Sequence, residues 1–419
     1  MNDALRQKIL LVTAVLVNLV AGLVAIPIIS RGFSSDEFAT VSVLLLINAM
    51  FGAFDFFRPV FVSEFSAGDK LISIADMFAS SVVVLLFLSI PIYILYSQFL
   101  SSYFSGDDFR NIFIAFFLFV FYSGFWAALD INNKVGVSAL LRSLCVAGGY
   151  LFYAVEAVFK NSIALSFGLL IIHGVSLFLF ILLSFPYLSI AAKRRVGQSF
   201  YRKAFWTFGQ NLSKVVIDFC DRLFVSRFFS PEVTGAYNLI YDVASRSGIF
   251  SQVWTTYSYP KLCESKDLIS RFLVVGIGLS SLIFVLGLLF LLFGQQLYIL
   301  YFGERLVAFF KPFCAMIFAF SIFSLAFFSQ AGLRAVGRYA YLSFSFAVSA
   351  VLGLVSIYPL YLFFGLKGVL LCFLLLKLPG VFGYWYMRTL LGKYKICFYA
   401  LVLFNCLLFF YVMFAWGEV

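Results

Sequence analysis

Residues 8–29 read KILLVTAVLVNLVAGLVAIPII, a near-uniform apolar run with one charge at its leading edge. Coiled as an α-helix at ~1.5 Å per residue it is about 33 Å long, enough to cross the roughly 30 Å hydrocarbon core of a bilayer. The run is too long for the h-region of a cleaved signal and has no small-residue cleavage site behind it. It is therefore expected to remain as the first membrane span. Twelve further runs follow, at 38–57, 73–96, 111–131, 137–158, 162–188, 206–228, 236–259, 271–293, 312–333, 339–361, 368–387 and 396–416. A backbone in lipid must satisfy its own hydrogen bonds, so each run is read as a helix.

The whole chain repeats this message. Of 419 residues, 63% are hydrophobic and 12% charged, against about 25% charged in a soluble domain. No soluble core of this size could hide so much apolar surface. The net charge of +11 does not point to nucleic acid, because the cations are scattered through short loops. The seven cysteines form no CxxC pair and mostly lie inside apolar runs, as small core residues do. With His173 as its one histidine the chain has no HExxH zinc site, and it carries neither a phosphate-binding GxxxxGK[ST] loop nor a GxSxG elbow. No catalytic or metal-binding residue is assigned, and no cofactor is expected.

Cation placement gives the topology. With the N-terminus inside, 18 of the 30 Lys and Arg residues fall in inner loops and 7 in outer ones, as the positive-inside rule requires. Trp126, Trp206, Trp254 and Trp385 fall near inner ends and Trp416 near an outer end, as in an interfacial belt. The remaining five cations, Arg142, Lys214, Arg222, Arg246 and Lys377, sit within the runs themselves.

The chain also repeats internally. Ser30-Arg31-Gly32-Phe33-Ser34 matches Ser226-Arg227-Phe228-Phe229-Ser230, with Asp36 and Glu232 each two residues on. Pro59 matches Pro260, and Val135-Gly136 matches Val336-Gly337, at a nearly constant offset. Six runs separate each pair, so both copies have the same orientation, as in a parallel transporter repeat. The expected architecture is all-α, with two six-helix bundles related by a pseudo-two-fold repeat. The first lobe spans 1–190, a basic cytoplasmic linker 191–205, and the second lobe 206–390. Residues 391–419 hold an extra C-terminal helix, which puts the C-terminus outside.

Charges inside the runs are the informative exceptions, since each costs about 2.5–3.5 kcal/mol at mid-membrane on insertion scales. The seventh run carries Lys214, Asp218, Asp221 and Arg222 on one helical face, and the eighth carries Asp242 and Arg246 one turn apart, with Asn238 beside them. Two readings fit. Internal bridges Lys214–Asp218, Asp218–Arg222 and Asp242–Arg246 would lock the second lobe; alternatively the charges line a hydrated cavity. Lys377 stands mid-run before Pro379-Gly380, which weakens the helix there. His173 reads as a hydrogen-bonded packing residue, and Arg142 as a cation reaching the inner headgroups. Asp55, Arg58, Asp76 and Asp130 read as ordinary charges at inner helix ends, and Lys193-Arg194-Arg195 as a topology signal.

A 6 + 6 parallel repeat without an ATPase motif resembles the MOP superfamily of multidrug, oligosaccharidyl-lipid and polysaccharide exporters. Within it the chain is similar to the O-antigen flippases of the Wzx type. The residues carrying this likeness are Asn18, the Ser30–Ser34 turn, Asn211 with the charged seventh run, Pro231–Tyr237, and Gly332–Arg338. The likeness covers roughly residues 5 to 390; the thirteenth run departs from the common twelve. It implies a transporter and not an enzyme, in a bacterial inner membrane. Two lobes would form a V around a cavity and move a polyprenyl-pyrophosphate-linked oligosaccharide from the cytoplasmic to the periplasmic leaflet. Lys214, Arg222, Arg246, Lys377 and Arg142 would then meet the anionic substrate, and Asp218, Asp221 and Asp242 would bind a coupling proton or sodium ion. Partners would be the lipid-linked oligosaccharide, membrane lipids and other polysaccharide assembly proteins, with no nucleic acid. The alternatives are a drug/cation antiporter of the same superfamily and a membrane polysaccharide polymerase or glycosyltransferase.

Overall fold

A computed structural model describes residues 3–53, 72–73, 82, 92–94, 96–132, 134–160, 165–189, 198–264 and 267–416. Among the described residues the regular structure is helical apart from one parallel pair of two-residue strands, β1 (Ile72–Ser73) and β2 (Leu188–Ser189). Among the described residues nine helices are long and apolar enough to cross a membrane. The protein is a multi-pass membrane protein. Asp55, Arg58, Asp76 and the Lys193-Arg194-Arg195 cluster lie outside the described residues, as does most of the third run.

The first helices are α1 (Asp3–Gly32), α2 (Ser35–Ala53), α3 (Gly106–Ile131), α4 (Val135–Phe159) and α5 (Leu165–Ser184). Small residues bring α1 and α4 together: a Cβ on Gly136 would lie 2.5 Å from the Gln7 carbonyl, and one on Gly32 2.7 Å from Ala157. Close approach through small residues is how helices pack where lipid removes the hydrophobic drive. The two contacts run in register, so α1 and α4 are parallel, as alternating first and fifth runs must be. In α2 every residue from Val41 to Asn48 is buried, so this helix lies in the core of its bundle.

Both repeated turns start a helix in the same way. The Ser34 hydroxyl accepts from the Glu37 amide while Glu37 accepts from Ser34, and the Ser230 hydroxyl accepts from the Val233 amide. These are N-caps, which satisfy donors the first helical turn leaves open. The Ser34 hydrogen bonds, aided by Lys160, hold the Glu37 carboxyl below its ordinary range. The other matched pair diverges. Gly136 is a close-packing glycine, whereas Gly337 takes φ +74°, a left-handed conformation open to glycine.

The later helices depart from the thirteen runs in four places. The seventh run belongs to a longer helix, α6 (Gln198–Phe228), which begins within the 191–205 segment read as linker. The eighth is broken: α7 (Pro231–Ser245) passes through a 3₁₀ turn, Arg246–Gly248, into α8 (Ile249–Glu264). Then come α9 (Leu268–Phe293), α10 (Gln295–Phe302), α11 (Phe310–Ala335) and α12 (Tyr339–Phe364). The short α10 and a 3₁₀ segment, Glu304–Phe309, occupy what the runs suggested was an outer loop. The twelfth run is also split, into α13 (Leu366–Leu376) and α14 (Pro379–Tyr386), and α15 (Lys395–Ala415) closes the chain.

The twelfth run breaks because Pro379 has no amide proton to continue the ladder. Lys377 and Leu378 form a turn there, with the Lys377 amide shared between the Phe373 and Leu374 carbonyls. Helix α11 is buried on nearly all sides, packed by α8, α9 and α12–α15, as expected of a helix apolar all round. Between α12 and α13 the chain reverses at Gly365, φ +56°, and a Cβ on Gly368 would fall 1.9 Å from the Leu360 carbonyl oxygen. Lys311, at the start of α11, donates to the Ala415 carbonyl at the end of α15. The extra helix thus ends on the side where α11 begins. The tryptophans split into two groups: Trp254 and Trp385 are exposed as a belt requires, whereas Trp126 and Trp416 are buried in packing.

By compactness the chain divides into two units. One comprises Met1–Asn211 with Ser226–Gly235, the other Leu212–Val225 with Ala236–Val419. The division cuts within α6, and the Ser226–Gly235 turn packs with the first unit: the Phe38 ring fills the space beside Gly235, and the Tyr103 hydroxyl meets Ser226 and Thr234.

Candidate functional site

Five of the intramembrane charges of the second unit gather into one cluster from three places in the chain. Helix α6 supplies Asp218, Asp221 and Arg222, α7 supplies Tyr237, Asn238, Tyr241 and Asp242, and the turn after α13 supplies Lys377. On α7 the spacing puts Tyr237 with Tyr241, and Asn238 with Asp242, one turn apart on the side facing α6.

Lys377 is fully buried, yet its ammonium is saturated. It donates to the Ile217 carbonyl at 2.9 Å, to Asp218 Oδ1 at 3.2 Å and to the Tyr241 hydroxyl at 2.9 Å. The rings of Tyr241, Phe320, Phe323 and Phe373 surround it at 4.8–5.3 Å, the geometry of a cation–π cage. An ammonium has three protons, and all three have acceptors. Tyr241 passes its own proton to the Asp218 backbone carbonyl, 3.1 Å away.

Arg222 is also buried. Its Nη2 lies 3.0 Å from Asp242 Oδ1, its Nε donates to Asn238 Oδ1 at 3.0 Å, and its guanidinium stands 4.4 Å over the Tyr241 ring. Tyr241 thus meets two cations, Arg222 at its ring and Lys377 at its hydroxyl, each paired with a different carboxylate. Asp221 is wholly buried, with Oδ2 accepting from the Tyr237 hydroxyl at 2.6 Å.

The pairing differs from the internal bridges suggested by spacing. Asp218 forms no ion pair with Lys214 or Arg222, its neighbours on the same helix, and takes Lys377 instead. Asp242 pairs across helices with Arg222. A single helix turn offers only one distance and angle, whereas a partner from another helix can also bring its dehydrated surroundings. Lys214 and Arg246 are only half-buried. Arg246 lies in the 3₁₀ break.

In the first unit His173 is held by two helices: Nδ1 meets the Tyr122 hydroxyl at 2.7 Å and Nε2 meets Asn48 Oδ1 at 3.0 Å. Arg142 donates to the Ser138 carbonyl and stands 5.3 Å over Trp126. Trp126 is thus a platform for a cation inside the bundle. A groove of about 520 Å³ runs between α4 and α5, lined by Leu144, Gly148, Val155, Ile171, Val175 and Phe180 among others. Its walls suit hydrocarbon, and the charged cluster lies in the other unit.

The caging residues Tyr241, Phe320, Phe323 and Phe373 went unmarked by the sequence reading. In a chain with 57 phenylalanines no spacing rule picks out three of them. Tyr237 and Tyr241 carried a weak signal, as hydroxyl-bearing rings interleaved with Asn238 and Asp242.

No protein-family model matches the chain, and no curated protein matches it in sequence. Solved structures do. Lipid II flippase MurJ, in an inward closed conformation, superposes with a TM-score of 0.68 at 13% identity, over 97% of this chain and 98% of that one. An inward-facing multidrug resistance MATE family transporter of the MOP superfamily gives 0.61 at 11% identity, over 93% and 99%. A MOP superfamily transporter from Pyrococcus furiosus, for which the reverse polarity of the binding pocket suggests a different function, gives 0.56 at 9%, over 93% and 94%. At these identities the likeness establishes the fold: that of polytopic MOP superfamily transporters.

Proposed function

We propose that this protein is a flippase for a polyprenyl-pyrophosphate-linked oligosaccharide, of the O-antigen repeat-unit class, in a bacterial inner membrane. What supports the reading most is the near-complete two-way coverage with the lipid II flippase structure, joined to five cations placed within the apolar runs. A pyrophosphate cannot cross hydrocarbon bare. Fixed cations in a hydrated path lower that barrier by charge-assisted hydrogen bonds, while the polyprenyl tail stays in lipid. Lys214, Arg246 and Arg142, each half-buried, would make direct contact. Arg222 and Lys377 would contribute by exchanging Asp242 and Asp218 for the substrate phosphates.

With no nucleotide-binding loop in the sequence, uphill work would come from an ion gradient or from mass action. One charge crossing 100 mV supplies about 2.3 kcal/mol, and Asp218, Asp221 and Asp242 are the carboxylates proposed to carry the ion. The fold is shared with multidrug transporters, so an antiporter of cationic drugs is the alternative. Against it, Lys214, Arg222, Arg246 and Lys377 outnumber Asp218, Asp221 and Asp242, whereas a cationic substrate favours a net acidic cavity. Transfer of a sugar or polymerisation would need catalytic groups on a sizeable outer domain, for which the short loops leave no room.

The test is reconstitution. Proteoliposomes loaded with a fluorescent polyprenyl-pyrophosphate saccharide should move label to the opposite leaflet. Lys214→Ala and Arg246→Ala should slow the movement with insertion intact, and Lys214→Arg should retain more than Lys214→Ala. Undiminished flipping in both alanine variants would remove the assigned contacts. Efflux of ethidium-type cations without lipid movement would select the antiporter.

A further inference from the structure

The three carboxylates of the cluster are not equivalent. Asp218 Oδ1 is held by Lys377 at 3.2 Å and Asp242 Oδ1 by Arg222 at 3.0 Å. Asp221 is 0% exposed, and while its Oδ2 takes the Tyr237 proton, its Oδ1 has no hydrogen-bond partner. A buried carboxylate oxygen without a donor requires an explanation. The cations near enough to act on Asp221 are Lys377 and Arg222. Lys377 has spent its three protons on Ile217, Asp218 and Tyr241, and Arg222 is turned to Asn238 and Asp242. The other ionisable groups facing Asp221 are Tyr237 and Tyr241 of α7, Cys372 of α13, and Cys220 of its own helix. Phenols and thiols are neutral near pH 7, so none supplies the missing positive charge.

A hard metal ion is a poor candidate for the vacant oxygen. Such ions gather about six oxygen ligands, and the hydroxyl nearest Asp221 already points its proton at the carboxylate. A proton needs only the one vacant oxygen. Adding it to Oδ1 turns the carboxylate into a neutral acid and leaves Oδ2 free to keep the Tyr237 hydrogen bond. No other bond is made or broken.

We infer that Asp221 is the exchangeable proton site of the second unit, and that Asp218 and Asp242 are the counter-ions of Lys377 and Arg222 until substrate phosphates replace them. The inference rests on the reading of the chain as a gradient-coupled transporter and narrows its ion to a proton at one residue.

The test pairs a readout independent of transport with one that depends on it. Infrared difference spectra of the purified protein in lipid, stepped in pH, should contain a carboxylic-acid C=O band. Asp221→Asn should remove that band, Asp221→Glu should shift it, and Asp218→Asn and Asp242→Asn should leave it in place. In proteoliposomes, Asp221→Asn should lower proton-driven accumulation about tenfold, within the roughly fiftyfold that one charge and 100 mV can drive. Exchange of labelled for unlabelled substrate, which moves no net proton, should persist. A band that survives Asp221→Asn, or that disappears in Asp218→Asn instead, overturns the assignment. So does accumulation that follows a sodium gradient and ignores a proton gradient. If the band behaves as expected while no lipid-linked saccharide moves, the proton site stands and the substrate reading fails.

Discussion

Replacing Lys377 by methionine keeps the length of the side chain and removes only its charge and its donors. Three acceptors lose a partner: the Ile217 carbonyl, Asp218 Oδ1 and the Tyr241 hydroxyl. Breaking a buried ion pair by deleting one member costs about 3–5 kcal/mol, mostly because the surviving charge is stranded. Asp218 keeps 21% of its side-chain surface, so part of that charge can hydrate, and the expectation falls at the lower end, about 3 kcal/mol. For a cooperative unit of 150–250 residues 1 kcal/mol shifts the midpoint by about 2–4 °C, giving roughly 6–12 °C for Lys377→Met. The assay is thermal unfolding in detergent, followed by fluorescence-detected size exclusion. The double variant Lys377→Met/Asp218→Asn should recover to within about 1 kcal/mol of the parent, since the stranded charge is then gone. A Lys377→Met midpoint equal to the parent's, or a double variant no better than the single, would refute the pairing.

Other outcomes follow from the same geometry. Gly368→Ala should destabilise the protein by about 2 kcal/mol or more, because the new methyl meets the Leu360 backbone oxygen, which cannot swing away; the same melting assay reads it. Reporters fused after Arg195 and after Val419 should lie on opposite sides, and a Cys pair at Lys311 and Ala415 should crosslink from one side only. Ser34→Ala should raise the Glu37 pKa part of the way in an NMR or infrared titration, since it removes the hydroxyl donor and keeps the Ser34 backbone N–H, which lowers it most. The depressed value favours the folded state above the unfolded pKa, and that contribution is lost as pH falls through the folded one. Ser34→Ala should therefore narrow the stability difference between neutral and acid pH.

The helical fold was legible because membrane spanning is a composition problem: a run either is long and apolar enough or is not. Which residues meet was less legible. The exceptions to apolarity marked Lys214, Asp218, Asp221, Arg222, Asp242 and Arg246 on two helices, with Lys377 and Arg142 apart, and the structure gathers Asp218, Asp221, Arg222, Asp242 and Lys377 of these into one cluster. The partners came out differently, since same-helix spacing suggested Asp218 with Lys214 or Arg222, and the ammonium that reaches it comes from a turn far along the chain. That turn was signalled by Pro379-Gly380. The break at Arg246–Gly248 had a fainter signal in Ser245 to Gly248. The burial of Trp126 could not be read from its place near a helix end, because an interfacial ring and a ring beneath an arginine look alike in sequence.

Helix α6 has a consequence for how the protein is made. It is not among the nine described helices apolar enough to cross a membrane alone, and Lys214, Asp218, Asp221 and Arg222 each cost about 2.5–3.5 kcal/mol at the centre of a lone helix. Its relief arrives in stages: α7 brings Asp242 to Arg222 soon after, but Lys377 lies 159 residues beyond Asp218. At ~5–20 residues per second of synthesis the wait is roughly 8–30 s. Through that interval the translocation machinery, or the helices already inserted, must shelter a half-neutralised segment. In a Lys377 variant that interval has no end, because the partner of Asp218 never arrives.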